Sequence, residues 1–358
     1  MILSKSKITI LLLFVTVATQ AQKFTYDIDF ISYFDNREYK EPFQIPQTIF
    51  AFRFAPTAGV IFTDTLQGTH SVMLGTHYIQ PIGANLYESK LLPTAYYGFQ
   101  QKGFALHLGA IPYNKRIAIL PHFLMYDSCA YSHPNIQGGI FQYSSKLGFA
   151  EFMCDWRGAQ SPERREMFRL ILNGQFKHKW FFTGGFAQLN HKANFAKPTP
   201  REGIADDAYI NAYVGTSLGE IVEKIDSLSI KCGYIFGFQR DRSVDQTICP
   251  QGVLGEIYFK WQKFGFSNSI YVGDNLMPFY NKYKNALNQG DPFYQSKFYN
   301  RLDIFAFLID RKFVKCYFSW NLHTTEHKKT YHQQQLIAIF NLDAIKGQKN
   351  KRKLYQPN

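Results

Sequence analysis

The chain has 358 residues and a formal charge of +13, with 40 Lys and Arg against 27 Asp and Glu. Aromatic residues make up 17% of it, yet the mean hydropathy is −0.25, a combination that suits strands with one apolar and one wet face. Five cysteines without a CxxC exclude a disulfide scaffold and a zinc site, and no P-loop or dinucleotide fingerprint is present.

Residues 1–21 read as a cleaved signal peptide. Lys5 and Lys7 form a basic start, Ile8–Val17 an apolar run, and Thr19-Gln20-Ala21 puts small residues where a signal peptidase reads. The run is shorter than the ~20 residues of a spanning helix, and nothing downstream is long and uncharged enough to be one. Export argues against nucleic acid as the partner of the basic charge and leaves anionic lipid or solute.

From there on, period-2 alternation dominates. Phe168, Leu170, Leu172 and Phe176 alternate with Arg169, Asn173 and Gln175; Cys316, Phe318 and Trp320 alternate with Tyr317, Ser319 and Asn321. Sixteen strands are predicted, near 24–34, 48–62, 70–79, 91–101, 103–110, 136–143, 147–156 and 167–176, then 180–189, 208–216, 228–238, 252–262, 264–273, 299–309, 313–323 and 330–342. Pro56 and Gly59 mark a bulge in the second. Cys154, Cys232 and Cys316 fall on the aromatic side and read as small hydrophobes. Cys129 and Cys249 fall in loops, and unpaired thiols are preferred there to a bridge. Connections after even-numbered strands are mostly short and lysine-rich. Those after odd-numbered strands are mostly long: 35–47, 111–135, 157–166, 190–207, 239–251 and 274–298. Outer-membrane barrels show this parity, with tight periplasmic turns and long outer loops.

The signal, the sixteen alternating runs and the parity resemble porin-like outer-membrane β-barrel proteins of Gram-negative bacteria. The resemblance is architectural and covers the whole mature chain. It implies an all-β, antiparallel transmembrane barrel of about 16 strands over residues 22–342, with 14 or 18 as the neighbouring counts. It also implies residence in the outer membrane, surrounding lipid and lipopolysaccharide, and the barrel-assembly machinery as a partner. In such porins the loop after the fifth strand folds inward. Here that loop carries Lys115, Arg116 and Asp127 around an apolar stretch, Ile117–Met125, and is expected to constrict or plug the pore. The end of the chain departs from the pattern. Phe340 is followed by a basic tail, 343–358, rather than by a terminal aromatic.

Alternation turns Arg169, Lys231, Glu256, Lys260, Arg301, Asp303 and Lys315 inward. Five are basic and two acidic, which points to a passive or weakly selective channel for small solutes that favours anions; pairing across strands, with Arg301 and Asp303 first, would cancel that preference. Loop 274–298 repeats a Gly-Asp…Phe-Tyr phrase. Asp274, Tyr280, Asp291 and Tyr294 form a candidate ligand loop there, while turn chemistry explains the same residues. Ser319 and His323 share the inward face without an acid partner. His70, His77 and His107 lack metal spacing. The expectation is therefore a protein that is not an enzyme and holds no cofactor or metal. The alternative is a plugged barrel with a structural, adhesion or surface-binding role, and an outer-membrane hydrolase ranks below both.

Overall fold

A strand placed in lipid has no water to satisfy its backbone, so a spanning sheet has to close on itself. A computed structural model of the chain describes residues 22–39, 45–195, 203–219, 222, 225–327 and 329–343. The expected signal peptide and nearly all of the basic tail lie outside the described residues. The strands in chain order are β1 (Lys23–Glu38), β2 (Gln47–Thr63), β3 (Thr69–Pro81), β4 (Lys90–Gln101), β5 (Phe104–Pro112) and β6 (Asn135–Ser145). Then come β7 (Gly148–Gly158), β8 (Met167–His178), β9 (Phe181–Lys192), β10 (Ala205–Ser217), β11 (Ser227–Asp241) and the three-residue β12 (Gln246–Ile248). The last are β13 (Gln251–Trp261), β14 (Phe264–Gly273), β15 (Phe298–Asp310), β16 (Val314–Thr325) and β17 (Thr330–Asp343). Each long strand pairs antiparallel with its chain neighbours, and β1 pairs with β17 from Asp27↔Asp343 to Glu38↔His332. The result is a closed barrel of sixteen staves, with β12 folded back onto the end of β11.

All sixteen expected strands are present, several of them longer than alternation indicated. β1 continues through Asn36 and Glu38, and β9 and β10 reach Lys192 and Ala205, inside segments expected to be loop. Near that rim both faces of the strands carry polar residues, so the period-2 signal fades while pairing continues. The expected bulge at Pro56 is not formed. Phe54↔Tyr78 and Thr57↔Gly75 keep one register across it, so no residue is inserted. Proline lacks only the N–H that the ladder would use there. Bulges occur instead at Trp156/Gly158 and Phe307/Ile309.

Tight turns gather at one end of the barrel and long loops at the other. Lys102-Gly103 turns with φ of +44° and +89°, the left-handed pair that suits the twist of a two-residue hairpin. The outer wall is greasy: Phe50, Leu74, Leu108, Phe141, Leu172, Val214, Phe236, Trp261, Phe318 and Leu336 all point away from the lumen. The inner wall carries the polar alternates, and two loops from the long-loop end, 113–134 and 274–297, fill the space they enclose.

Leu172 is 54% exposed in the middle of β8. Replacing it with Arg should cost about 2–4 kcal/mol of folding stability in a bilayer, the depth-dependent penalty for a guanidinium near the midplane. Urea titration of protein folded into vesicles measures this; an unchanged midpoint would place Leu172 off the lipid face.

Candidate functional site

The lumen is filled by the two long loops, and arginines from the wall hold them. Arg169 of β8 is fully buried, donating to Gln188 Oε1 at 2.9 Å, to Leu124 O at 2.8 Å and to Gln289 Oε1 at 2.7 Å. One guanidinium thus ties the barrel wall to both loops. The loops also bond each other: Tyr126 N–H donates to Gln289 O at 2.7 Å and Asp291 N–H to His122 O at 2.8 Å. Arg301 of β15 sits among three carboxylates, with Asp303 at 2.8 Å, Asp127 at 3.2 Å and Asp291 at 3.8 Å. Around these contacts Phe123, Leu124, Leu276, Phe293 and Tyr294 are buried as thoroughly as a soluble core.

The other residues singled out from the sequence fall as follows. Lys231 pairs with Glu256 at 2.6 Å. Lys260 and Lys315 share Asp310, at 2.7 and 3.8 Å. Arg116 pairs with Glu151 at 2.7 Å, and Lys115 lies 3.7 Å from Asp27. Asp291 accepts from Phe293 N–H at 3.1 Å and Asp274 from Gln251 N–H at 3.1 Å. Tyr280 and Tyr294 are buried, so their rings pack inside the barrel rather than forming an open platform. His323 lies between the Tyr299 hydroxyl at 2.7 Å and Gln333 Oε1 at 3.0 Å, and Ser319 donates to Asn321 at 2.5 Å. Ser319 and His323 are thus each bonded to groups other than one another. All five cysteines are free. Among the described residues no group of His, Cys, Asp and Glu has metal-binding geometry.

The loop side chains bear the mark of this burial. Desolvation, with Arg301 beside it, pushes His122 down to about 3. Burial raises Asp291 to about 6 against the pull of Arg301. Burial would also raise Asp127, but Arg301, His122 and Arg37 together hold it below the usual carboxylate range. A histidine this hard to protonate is a weak general base; its role is to fill space beside a guanidinium.

A different arrangement lies on the outer wall, at the long-loop end. Directly opposed residues across five strands form one outward row: Trp156, Phe168, His191, Asp206 and Arg240. His191 Nδ1 is 2.7 Å from Asp206 Oδ1, with side chains 20% and 12% exposed. A carboxylate only accepts, so Nδ1 carries the hydrogen and the neutral ring offers Nε2 as acceptor. Phe168 stacks on the imidazole at 4.9 Å and on Trp156 at 5.3 Å. Arg242 lies 3.8 Å from Asp206. Two residues further toward the middle of the wall, the next outward rows are Leu170–Leu189–Ala208–Phe238 and Leu172–Ala187–Ile210–Phe236. Ala187 and Ala208 are small where their neighbours are large, which leaves an apolar groove of about 370 Å³ on the lipid face. The sequence reading missed this pair because both residues fell in the expected loop 190–207. The signal was there: His191 extends the outward series Ala187, Leu189 by one more step of two.

The sequence profile of the lipid A 3'-O-deacylase-type family matches residues 16–344. The chain belongs to that family. The expectation of a non-enzyme is thereby corrected, since the family is named for an enzyme and its match runs through nearly the whole chain. That expectation rested on finding no catalytic set in the sequence. No curated protein matches the chain. Solved structures similar to this deacylase-type barrel include a variant of OccD1 (OprD), at TM-score 0.55 and 8% identity, covering 90% of this chain and 96% of that one. OccK2 (OpdF) of Pseudomonas aeruginosa in complex with glucuronate aligns at 0.53 and 8%, covering 90% and 99%. A Rhodopseudomonas blastica porin mutant aligns at 0.51 and 8%, covering 89% and 100%. At that identity they show the fold: a porin-like, sixteen-stranded outer-membrane barrel.

The packing of the loops should respond to pH in two opposed ways. His122, lowered from 6.5 to about 3, contributes stability that is full above pH 6.5 and lost as the pH falls through 3. Asp291, raised from 3.8 to about 6, contributes stability that is full below pH 3.8 and lost as the pH rises through 6. Asp291→Asn removes the opposing trend of that carboxyl and leaves those of His122 and Asp127, which share one sign. Amide exchange of residues 120–126 should then slow steadily from about pH 4 to 7 after correction for intrinsic rates, more steeply than in the parent. A profile in the variant no steeper than the parent's would contradict the assignment.

Proposed function

We propose that this chain is an outer-membrane hydrolase that cleaves an ester-linked acyl chain from a phosphorylated glycolipid of the lipid A kind. The observation that carries the reading is the His191–Asp206 pair at the head of an apolar groove on the lipid-facing wall, in a chain of a deacylase-type family. A lipid reaches such a site by lateral diffusion, without entering the lumen. Its acyl chain lies in the groove between Phe238 and Leu172, and its ester arrives at the level of His191. Nε2 takes a proton from water, the resulting hydroxide adds to the carbonyl, and the alkoxide leaves as the sugar alcohol on taking that proton. Asp206 holds the ring in the tautomer this needs and stabilises the imidazolium. The groove supplies orientation rather than affinity, because lipid tails are as apolar as the wall. Affinity falls to the cations at the rim, Arg240 and Arg242, against the phosphates of the headgroup.

A weakly anion-selective solute channel is the second reading. It is favoured by the turn-end half of the lumen, which stays hollow, with cavities of about 560 and 350 Å³. It requires loop 113–134 to leave the barrel.

Mass spectrometry of lipid A from cells expressing the chain tests the first reading. Loss of one acyl chain is expected, and His191→Ala or Asp206→Asn should slow it about 10²–10⁴-fold, the usual contribution of a positioned base. Ala208→Trp fills the groove without touching the pair and should reduce turnover as well. Full activity in both pair variants would remove His191 and Asp206 from the chemistry.

A further inference from the structure

The hollow end of the lumen has its own chemistry, separate from the outer wall. Its larger cavity, about 560 Å³, is lined by Lys102, Lys115 and Arg116 against a single acidic residue, Asp27. Its inner wall is the plug loop itself, from Asn114 to Ile117. Beyond that the loop-end side is shut by the buried Phe123 and Leu124. The cavity is therefore entered from the turn end, which in barrels of this class faces the periplasm.

Three polar groups converge there. His107 is only 6% exposed, and its Nδ1 is buried with no hydrogen-bond partner. A proton on Nε2 spares the buried Nδ1 an unpaired N–H, and in that tautomer the imidazole offers a donor. Ser71 lies beside it over Gly98. A Cβ at position 98 would come within 2.5 Å of Ser71 Oγ and 3.1 Å of His107 Nδ1, so the glycine is what lets the two groups sit together. Lys115, mostly buried, holds its ammonium 3.7 Å from Asp27 and 6.0 Å from the centre of the Tyr96 ring. That distance is longer than a charge-assisted hydrogen bond, which leaves donor capacity on the ammonium. Arg116, by contrast, is engaged with Glu151 through both Nε and Nη2.

We propose that this pocket binds a small oxyanion, a phosphate or a hydroxycarboxylate, through the His107 imidazole, the Lys115 ammonium and the Ser71 hydroxyl. All three are donors converging on one side of a cavity with basic surplus, and a tetrahedral or planar oxyanion satisfies them together. The ligand also touches the plug loop, so binding orders residues 114–117. The pocket stands apart from the hydrolase reading, and neither depends on the other.

Calorimetric titration of the full chain in detergent with inorganic phosphate, and separately with gluconate, tests it and distinguishes the two sources. Saturable binding of one probe is expected with a dissociation constant of about 1 mM or tighter, weakened about tenfold, or 1.4 kcal/mol, by Lys115→Met or His107→Phe. In the unaltered protein the bound probe should also slow amide exchange at Asn114–Ile117, a readout that does not depend on either variant folding. Absence of saturable binding by both probes overturns the proposal, and so does binding that both variants leave unchanged.

Discussion

The absence of water around a strand in lipid governs the whole barrel. It forces β1 onto β17 and leaves each stave with one face for lipid and one for the interior. Sixteen staves enclose more space than their own side chains can fill. Two loops fill it at one end, and a loop inside a barrel needs partners for its backbone. Arg169 provides one, the Leu124 carbonyl accepting from it, and donates to two side-chain amides as well, while Arg301 gathers three carboxylates. Removing a guanidinium from such a setting leaves buried acceptors or charges without a partner, which costs more than the pair contributes.

That filling shifts the expected place of the chemistry. A lumen packed with buried phenylalanine and tyrosine is a poor route for solute and a poor site for a lipid, whose chains stay in the membrane. The outer wall combines a histidine held by a carboxylate at 2.7 Å, cations beside it at the long-loop rim, and a groove made by two alanines among large neighbours. Membership of a deacylase-type family and the porin-like fold are compatible on this view. Under the proposed function the barrel is a scaffold that holds the His191–Asp206 pair at a fixed depth, and the two lumen loops keep that scaffold from being an open pore.

Much of the fold was legible in the sequence because side-chain period in a strand is two and lipid enforces it. Phe168, Leu170 and Leu172 announce their face without help. The parity of short and long connections gave the two ends of the barrel for the same reason, since one end turns tightly. What could not be read was where alternation ends and pairing does not. Asn36, His191 and Asp206 are polar residues on the outward face near the rim, so by pattern alone they look like loop. Their meaning depends on register across strands, His191 opposite Phe168 and Asp206, and register is not local. The burial of Asp291 and Tyr294 was equally hidden, because turn residues such as Gly-Asp-Pro look the same whether a loop leans outward or folds into a lumen.

The proposed hydrolase works on the outer wall of a barrel whose lumen stays closed. Vesicles containing lipid A and the purified chain test both halves at once, by measuring released fatty acid and solute-driven swelling in the same sample. Fatty acid release without swelling is expected. Swelling with no fatty acid released would contradict it.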